Sequence, residues 1–276
     1  MNYLGTYPLP DTLKKLFYLE EELQQEGFSL DSELSLILME EYEAYNVTPY
    51  DVIPFARTGV DGIHFGFLTD FGRVKDLEEA NIVCVSPMNF GNFVKIVARN
   101  LKEFIDVVFT LKGAIAIENF LSFSTKDEYE SLVEQIKQEL SENEDFNKRN
   151  TYVLEHIKVM YECKKIDDLY LYQKELEYER LSKILIPTKD QLGIIYENSS
   201  KNYRNMDLNE NMNIELDEVG AFFKEAPVEA KLALIRDIQF LYLIQDQYEL
   251  ANLIKEELLK LGFTDEANRL DWQELY

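Results

Sequence analysis

The chain predicts an α+β fold: an antiparallel sheet packed with helices in the N-terminal half, and a mainly α-helical C-terminal half. Three observations predict it. Apolar residues recur at helical spacing over residues 9–45 and over most of the chain beyond residue 100. Short aromatic or near-continuous apolar runs, bounded by glycine, asparagine and proline, fill residues 63–98. The turns between those runs favour antiparallel pairing. At 276 residues the chain is long enough for two domains. The change of pattern divides it into an α+β region, 1–125, and a helical region, 126–276.

The elements follow in order. Pro10 and Asp11 open a first helix carrying Leu13, Leu16, Phe17 and Leu23, and Gly27 interrupts it. Leu30-Asp31-Ser32 starts a second helix, expected to carry Leu34, Ile37, Leu38 and Tyr42 on one side. Residues 47–57 hold Pro49 and Pro54 and no helical period. Residues 63–68 form a strand. Residues 81–87 form a second, and its run Ile82-Val83-Cys84-Val85 implies burial on both faces. Residues 92–98 alternate as a third. Helical spacing resumes with Leu101, Phe104, Ile105 and Val108, and residues 114–123 are read as helix continued after Gly113.

Beyond the sheet, Tyr129, Leu132, Val133 and Ile136 line one helical face, and residues 141–145 read as a polar loop. Residues 152–161 have the Val, Tyr and Ile content of a strand, yet Leu154, Ile157 and Tyr161 fit a helix. Residues 169–185 read as a long helix ended by Pro187, and the asparagine-rich 198–213 as a flexible connection. Residues 217–223 and 227–261 are helical, with Pro227 in a first turn and Gly262 at a C-terminal stop. Residues 248–267 resemble one paired-helix repeat of the TPR type.

Composition narrows the function classes. Hydrophobic residues make up 46% of the chain, with 17 Tyr and 17 Phe, enough for a substantial core. Asp and Glu number 52 against 28 Lys and Arg, a net charge of −24. That charge disfavours nucleic acid and anionic membranes, both of which need cationic contacts. It suits solubility, and it suits steering toward a basic partner. Residues 11–45 alone carry ten acids and two lysines. Cys84 and Cys163 lie too far apart in sequence for a framework or a zinc site and read as reduced. The N-terminal residues show neither a basic region nor an apolar core, and no apolar run approaches a membrane span, so a cytoplasmic location is expected.

The stretch most like a signature is Ile53-Pro54-Phe55-Ala56-Arg57-Thr58-Gly59-Val60-Asp61-Gly62, running into the aromatic strand. Glycine supplies positive φ and Asp61 can bond the turn's own backbone, so a tight turn explains the residues by itself. A phosphate loop would need a following helix and a lysine, and neither is there. Together with Ile82-Val83-Cys84-Val85-Ser86-Pro87 and the helix begun by Asn100-Leu101-Lys102-Glu103-Phe104-Ile105, this stretch resembles the SMI1/KNR4 (SUKH) superfamily over roughly residues 10–125. Many members carry a tryptophan near the turn, whereas the one tryptophan here is Trp272. The resemblance implies an α+β fold and a non-enzymatic role: a bacterial immunity or regulatory protein that binds and occludes a toxin, often a nuclease. No cofactor is expected, and too few histidine and cysteine ligands are available for a zinc site. Arg57, Asp61 and His64 are the candidates for loop structure or partner contact.

Other constellations carry less. His64 should face away from Ile63 and Phe65 and could pair with Asp61 or Asp70. His156 has no metal-spaced partner. The acid runs Glu20-Glu21-Glu22 and Glu40-Glu41 read as solvated faces. Ser122 and Ser199-Ser200 lack a nucleophile elbow, and residues 207–218 lack the glycine and oxygen spacing of a calcium loop. Tyr161, Tyr170, Tyr172 and Tyr178 suit packing or a partner face in the C-terminal half. Two alternatives stay open: a helical scaffold that docks a peptide, recognisable by further helix pairs, and a hydrolase, recognisable by two perturbed carboxylates in a deep pocket.

Overall fold

The computed structural model describes residues 3–195, 206, 208, 214–245 and 247–273. Its centre is a five-stranded antiparallel meander in the order β1 (Ile37–Leu38), β2 (Val52–Arg57), β3 (His64–Leu68), β4 (Asn81–Val85), β5 (Val94–Ala98). The α+β class is therefore as the sequence predicts. Alternation along the strands sends Ile53, Phe55, Phe65, Phe67, Ile82, Cys84 and Val97 to one face and Val52, Leu68, Val83, Val85 and Val94 to the other. Both faces are buried, as the unbroken Ile82–Val85 run requires.

The first face packs on helices α1 (Asp11–Gln25), α2 (Leu30–Leu34), α3 (Leu101–Leu111) and α4 (Ala116–Leu121). The apolar cluster runs on without a break through α5 (Lys126–Glu142), α6 (Glu144–Tyr161) and the start of α7 (Leu169–Lys183). Phe104 anchors it, meeting Phe55 at 5.5 Å and Phe65 at 4.8 Å between ring centroids. The second face is covered by Leu192, Phe240 and Tyr242. A short hairpin, β6 (Ile184–Ile186) and β7 (Ile194–Ile195), precedes α8 (Leu216–Glu225), α9 (Val228–Phe240), α10 (Tyr248–Lys260) and α11 (Thr264–Gln273). These enclose a further core that Tyr50 and Phe71 enter from the sheet end.

Several expectations need correction. The second helix stops at Leu34: Ser35 turns left-handed at φ 51°, and the Leu36 N–H bonds back to the Leu30 carbonyl. Ile37 and Leu38 therefore become an edge strand. Residues 52–57 form β2 despite Pro54, because a bulge between Pro54 and Ala56 absorbs it and β1 reaches only Ala56 and Arg57. Residues 141–145 are not a loop: only Asn143 separates α5 from α6, and its side chain caps α6 through the Phe146 N–H. α7 ends at Lys183, where three consecutive isoleucine and leucine residues pass into β6 instead. Residues 227–261 are two helices, broken by the turn after Phe240. Residues 152–161 resolve as helix. The connection at 198–213, with Ser199-Ser200, lies outside the described residues apart from 206 and 208.

Candidate functional site

The β2–β3 turn is built as its composition requires. Gly59, Asp61 and Gly62 take φ of 78°, 50° and 71°. Thr58 closes the turn, its N–H bonding the Ile63 carbonyl at 3.0 Å. Gly62 is doubly constrained: a Cβ there would lie 2.6 Å from the Tyr45 ring. Tyr45 in turn stacks on His64 with ring centroids 5.9 Å apart.

His64 faces away from Phe65, as alternation demands, but it pairs with neither Asp61 nor Asp70. It is buried, with Nδ1 donating to the Gly62 carbonyl at 2.7 Å and Nε2 3.0 Å from Thr48 Oγ1. Because a carbonyl can only accept, Nδ1 carries a proton, and because burial disfavours the charged ring, Nε2 is bare and accepts from the Thr48 hydroxyl. The same hydroxyl oxygen accepts the Tyr45 N–H at 3.0 Å. Burial pulls the His64 pKa down to about 4. His64 thus holds Tyr45 and the turn in place.

Arg57 and Asp61 stand outside. Arg57 is half-exposed and ion-paired with Glu43. Asp61 is exposed at the turn tip. Ile37, Met39, Glu43, Tyr45, Arg57 and Val60 border an open cleft there. Tyr45 is 51% exposed and Val60 43%. Glu40 and Glu41 are exposed in the segment that carries Glu43. The structure brings the three candidate residues to one end of the sheet, with His64 beneath and Arg57 and Asp61 on top.

A second constellation escaped sequence reasoning. Arg180 grips Asp70 with both Nη atoms, at 2.7 and 3.0 Å, and gives Nε to the Leu192 carbonyl. Arg236 pairs with Asp51 and Asp190, its guanidinium 5.1 Å from the Phe71 ring centroid. Arg269 donates to the Tyr50 carbonyl at 2.9 Å. All three arginines are buried. Burial pushes Asp51 and Asp237 up to about 6 and Glu266 to about 7. These perturbed carboxylates are engaged by Arg236, by the Lys189 N–H and by Arg269 respectively, and they join the sheet end to the C-terminal helices. One sequence signal existed: Arg236-Asp237 interrupts the apolar run Leu232-Ala233-Leu234-Ile235 and Ile238.

Among the described residues no group of His, Cys, Asp and Glu is arranged to hold a metal, and no helix is long and apolar enough to cross a membrane. α10 and α11 pack as a helix pair joined through Gly262 and Phe263. No family model matches the chain. A search of curated proteins likewise returns no match.

Proposed function

We propose that this chain is a non-enzymatic binding protein of the SMI1/KNR4 kind, a bacterial immunity or regulatory protein that occludes a basic, nuclease-like protein partner. The observation that carries the reading is the face at the β2–β3 turn. Exposed Tyr45 and Val60 are held on a rigid base, Glu43 and Asp61 flank them, and the cation Arg57 is already neutralised by Glu43. A fixed tyrosine is a good hot-spot residue because it loses little entropy on binding. Asp61, Glu40 and Glu41, on a body of charge −24, speed encounter with a basic surface.

The test is capture from native lysate by the tagged full chain at low and at moderate salt. A basic nuclease retained at moderate salt, and inhibited when the protein is added, supports the reading. Tyr45→Ala should weaken that retention about tenfold or more, the loss expected of a hot spot. Asp61→Asn, which tolerates the left-handed backbone, should mainly slow association. Recovery of no specific partner at either salt removes the reading.

A further inference from the structure

A pocket away from the β2–β3 face has a lining unlike the rest of the molecule. It lies between the α9–α10 turn, α11 and the segment before β2. Gln239, Gln245, Gln247 and Gln273 all line it, four of the chain's ten glutamines, with Asn46 beside them. Among the described residues that line it none is charged, although 29% of the chain is.

The amides fall into two sets. Gln239 and Gln273 are buried and fixed: Gln239 Nε2 donates to the Thr48 carbonyl at 2.6 Å and to Gln273 Oε1 at 3.1 Å, and Gln273 Nε2 donates to the Thr48 carbonyl and to the Tyr42 hydroxyl. They form a rigid floor. The side-chain amides of Asn46, Gln245 and Gln247 make no hydrogen bond to another described residue. Each offers two donors and an acceptor to the pocket's contents. Gln247 also occupies the N-cap of α10 without its side chain capping the helix. At the rim Tyr248 presents a ring 73% exposed. The turn itself is fixed by the end of α9, where Tyr242 at φ 56° closes a left-handed helix stop through the Leu243 N–H to Ile238 carbonyl bond at 3.1 Å.

We propose that this pocket binds a small uncharged sugar. Vicinal hydroxyls are donors and acceptors at once, which is what amides without a partner among the described residues match, and an exposed tyrosine ring can pack on the apolar face of a sugar ring. The cavity, about 180 Å³, is smaller than the roughly 300–1,000 Å³ of drug-sized ligand sites, so it takes one ring. An anionic ligand finds no cation in this lining and meets a body of charge −24.

Saturation-transfer NMR on the full chain tests this, with glucose, galactose, mannose and N-acetylglucosamine as ligands and glucuronate and adenosine as controls. The expected result is transfer to at least one neutral sugar. Gln247→Leu and Tyr248→Ala, both at the rim, should weaken it about tenfold, close to 1.4 kcal/mol, with circular dichroism unchanged. Val159→Ala, exposed on α6 among the helices that pack on the sheet's first face, should leave it intact. No transfer to any of the four sugars, equal transfer in the rim variants, or a preference for glucuronate or adenosine overturns the proposal.

Discussion

His64 is a neutral imidazole clamped between a carbonyl and a hydroxyl, and its titration follows from that. An unfolded histidine titrates near 6.5, whereas folded His64 titrates at about 4. Between those values the unfolded chain binds a proton that the folded chain refuses. The contribution of His64 to stability is therefore intact above about pH 6.5 and is lost as pH falls through about 4, a total of roughly 3 kcal/mol. Nitrogen-detected NMR should show His64 still as the Nδ1–H tautomer at pH 5.5, and protonation there would contradict the geometry. His64→Ala should cost about 2–3 kcal/mol in urea unfolding, since it leaves the Gly62 carbonyl without its donor and a void beneath Tyr45. At this scale the sequence was readable only in part. Alternation settled which face His64 takes. The partner could not be read, because Thr48 lies 16 residues away and only the folded path of residues 45–48 brings it near.

At the scale of elements, α7 does two jobs. It covers the β5 edge, where Gln173 Nε2 donates to the Ile96 carbonyl at 2.9 Å and so blunts an exposed ladder. It also carries Arg180 to Asp70, at the point where Asp70, Phe71 and Gly72 take three successive left-handed conformations. A bidentate guanidinium is well suited to hold such a turn. Arg180→Met leaves the Asp70 carboxylate buried and unpaired and should cost about 3–5 kcal/mol. Adding Asp70→Asn should recover part of that loss in urea denaturation. A double variant no more stable than Arg180→Met alone would mean the pair does not interact as the geometry shows. The helices themselves were legible from apolar spacing and caps. Several misread boundaries share one cause: a single left-handed residue, bulge or cap interrupts an element, and the periodicity around it carries no trace of it. Ser35, the Pro54–Ala56 bulge, Asn143 and the left-handed Tyr242 after α9 are such cases; α7 differs, since its apolar run simply passes into β6.

For the molecule as a whole, charge sets the response to pH. Asp51, Asp237 and Glu266 titrate at about 6, 6 and 7 in the folded chain, against about 4 unfolded. Between those values the folded chain keeps protons the unfolded chain has released, so their contribution to stability is full below about pH 4 and is lost as pH rises through 6–7. Self-repulsion from a net charge of −24 also grows with pH. His64 acts in the opposite sense, but chiefly below pH 6.5. Scanning calorimetry should therefore find a higher Tm at pH 6 than at pH 8, with added salt raising the pH 8 value by screening. An unchanged or lower Tm at pH 6 would show that the buried acids are already ionised without cost. The sequence by itself determined the class: period 3.6 against alternation, the turn glycines, the acidic balance and the double-sided burial of β4 are local properties that any fold of this chain must satisfy. Tertiary structure alone decided what those pieces make. It brought Arg180 to Asp70 and Arg236 to Asp51, 110 and 185 residues apart along the chain, and Arg269 to the Tyr50 carbonyl, 219 residues away; it buried His64, raised Tyr45 above it, and gathered four glutamines around one cavity. Such pairings depend on which surfaces meet when the C-terminal helices close on the sheet, and no local pattern encodes that.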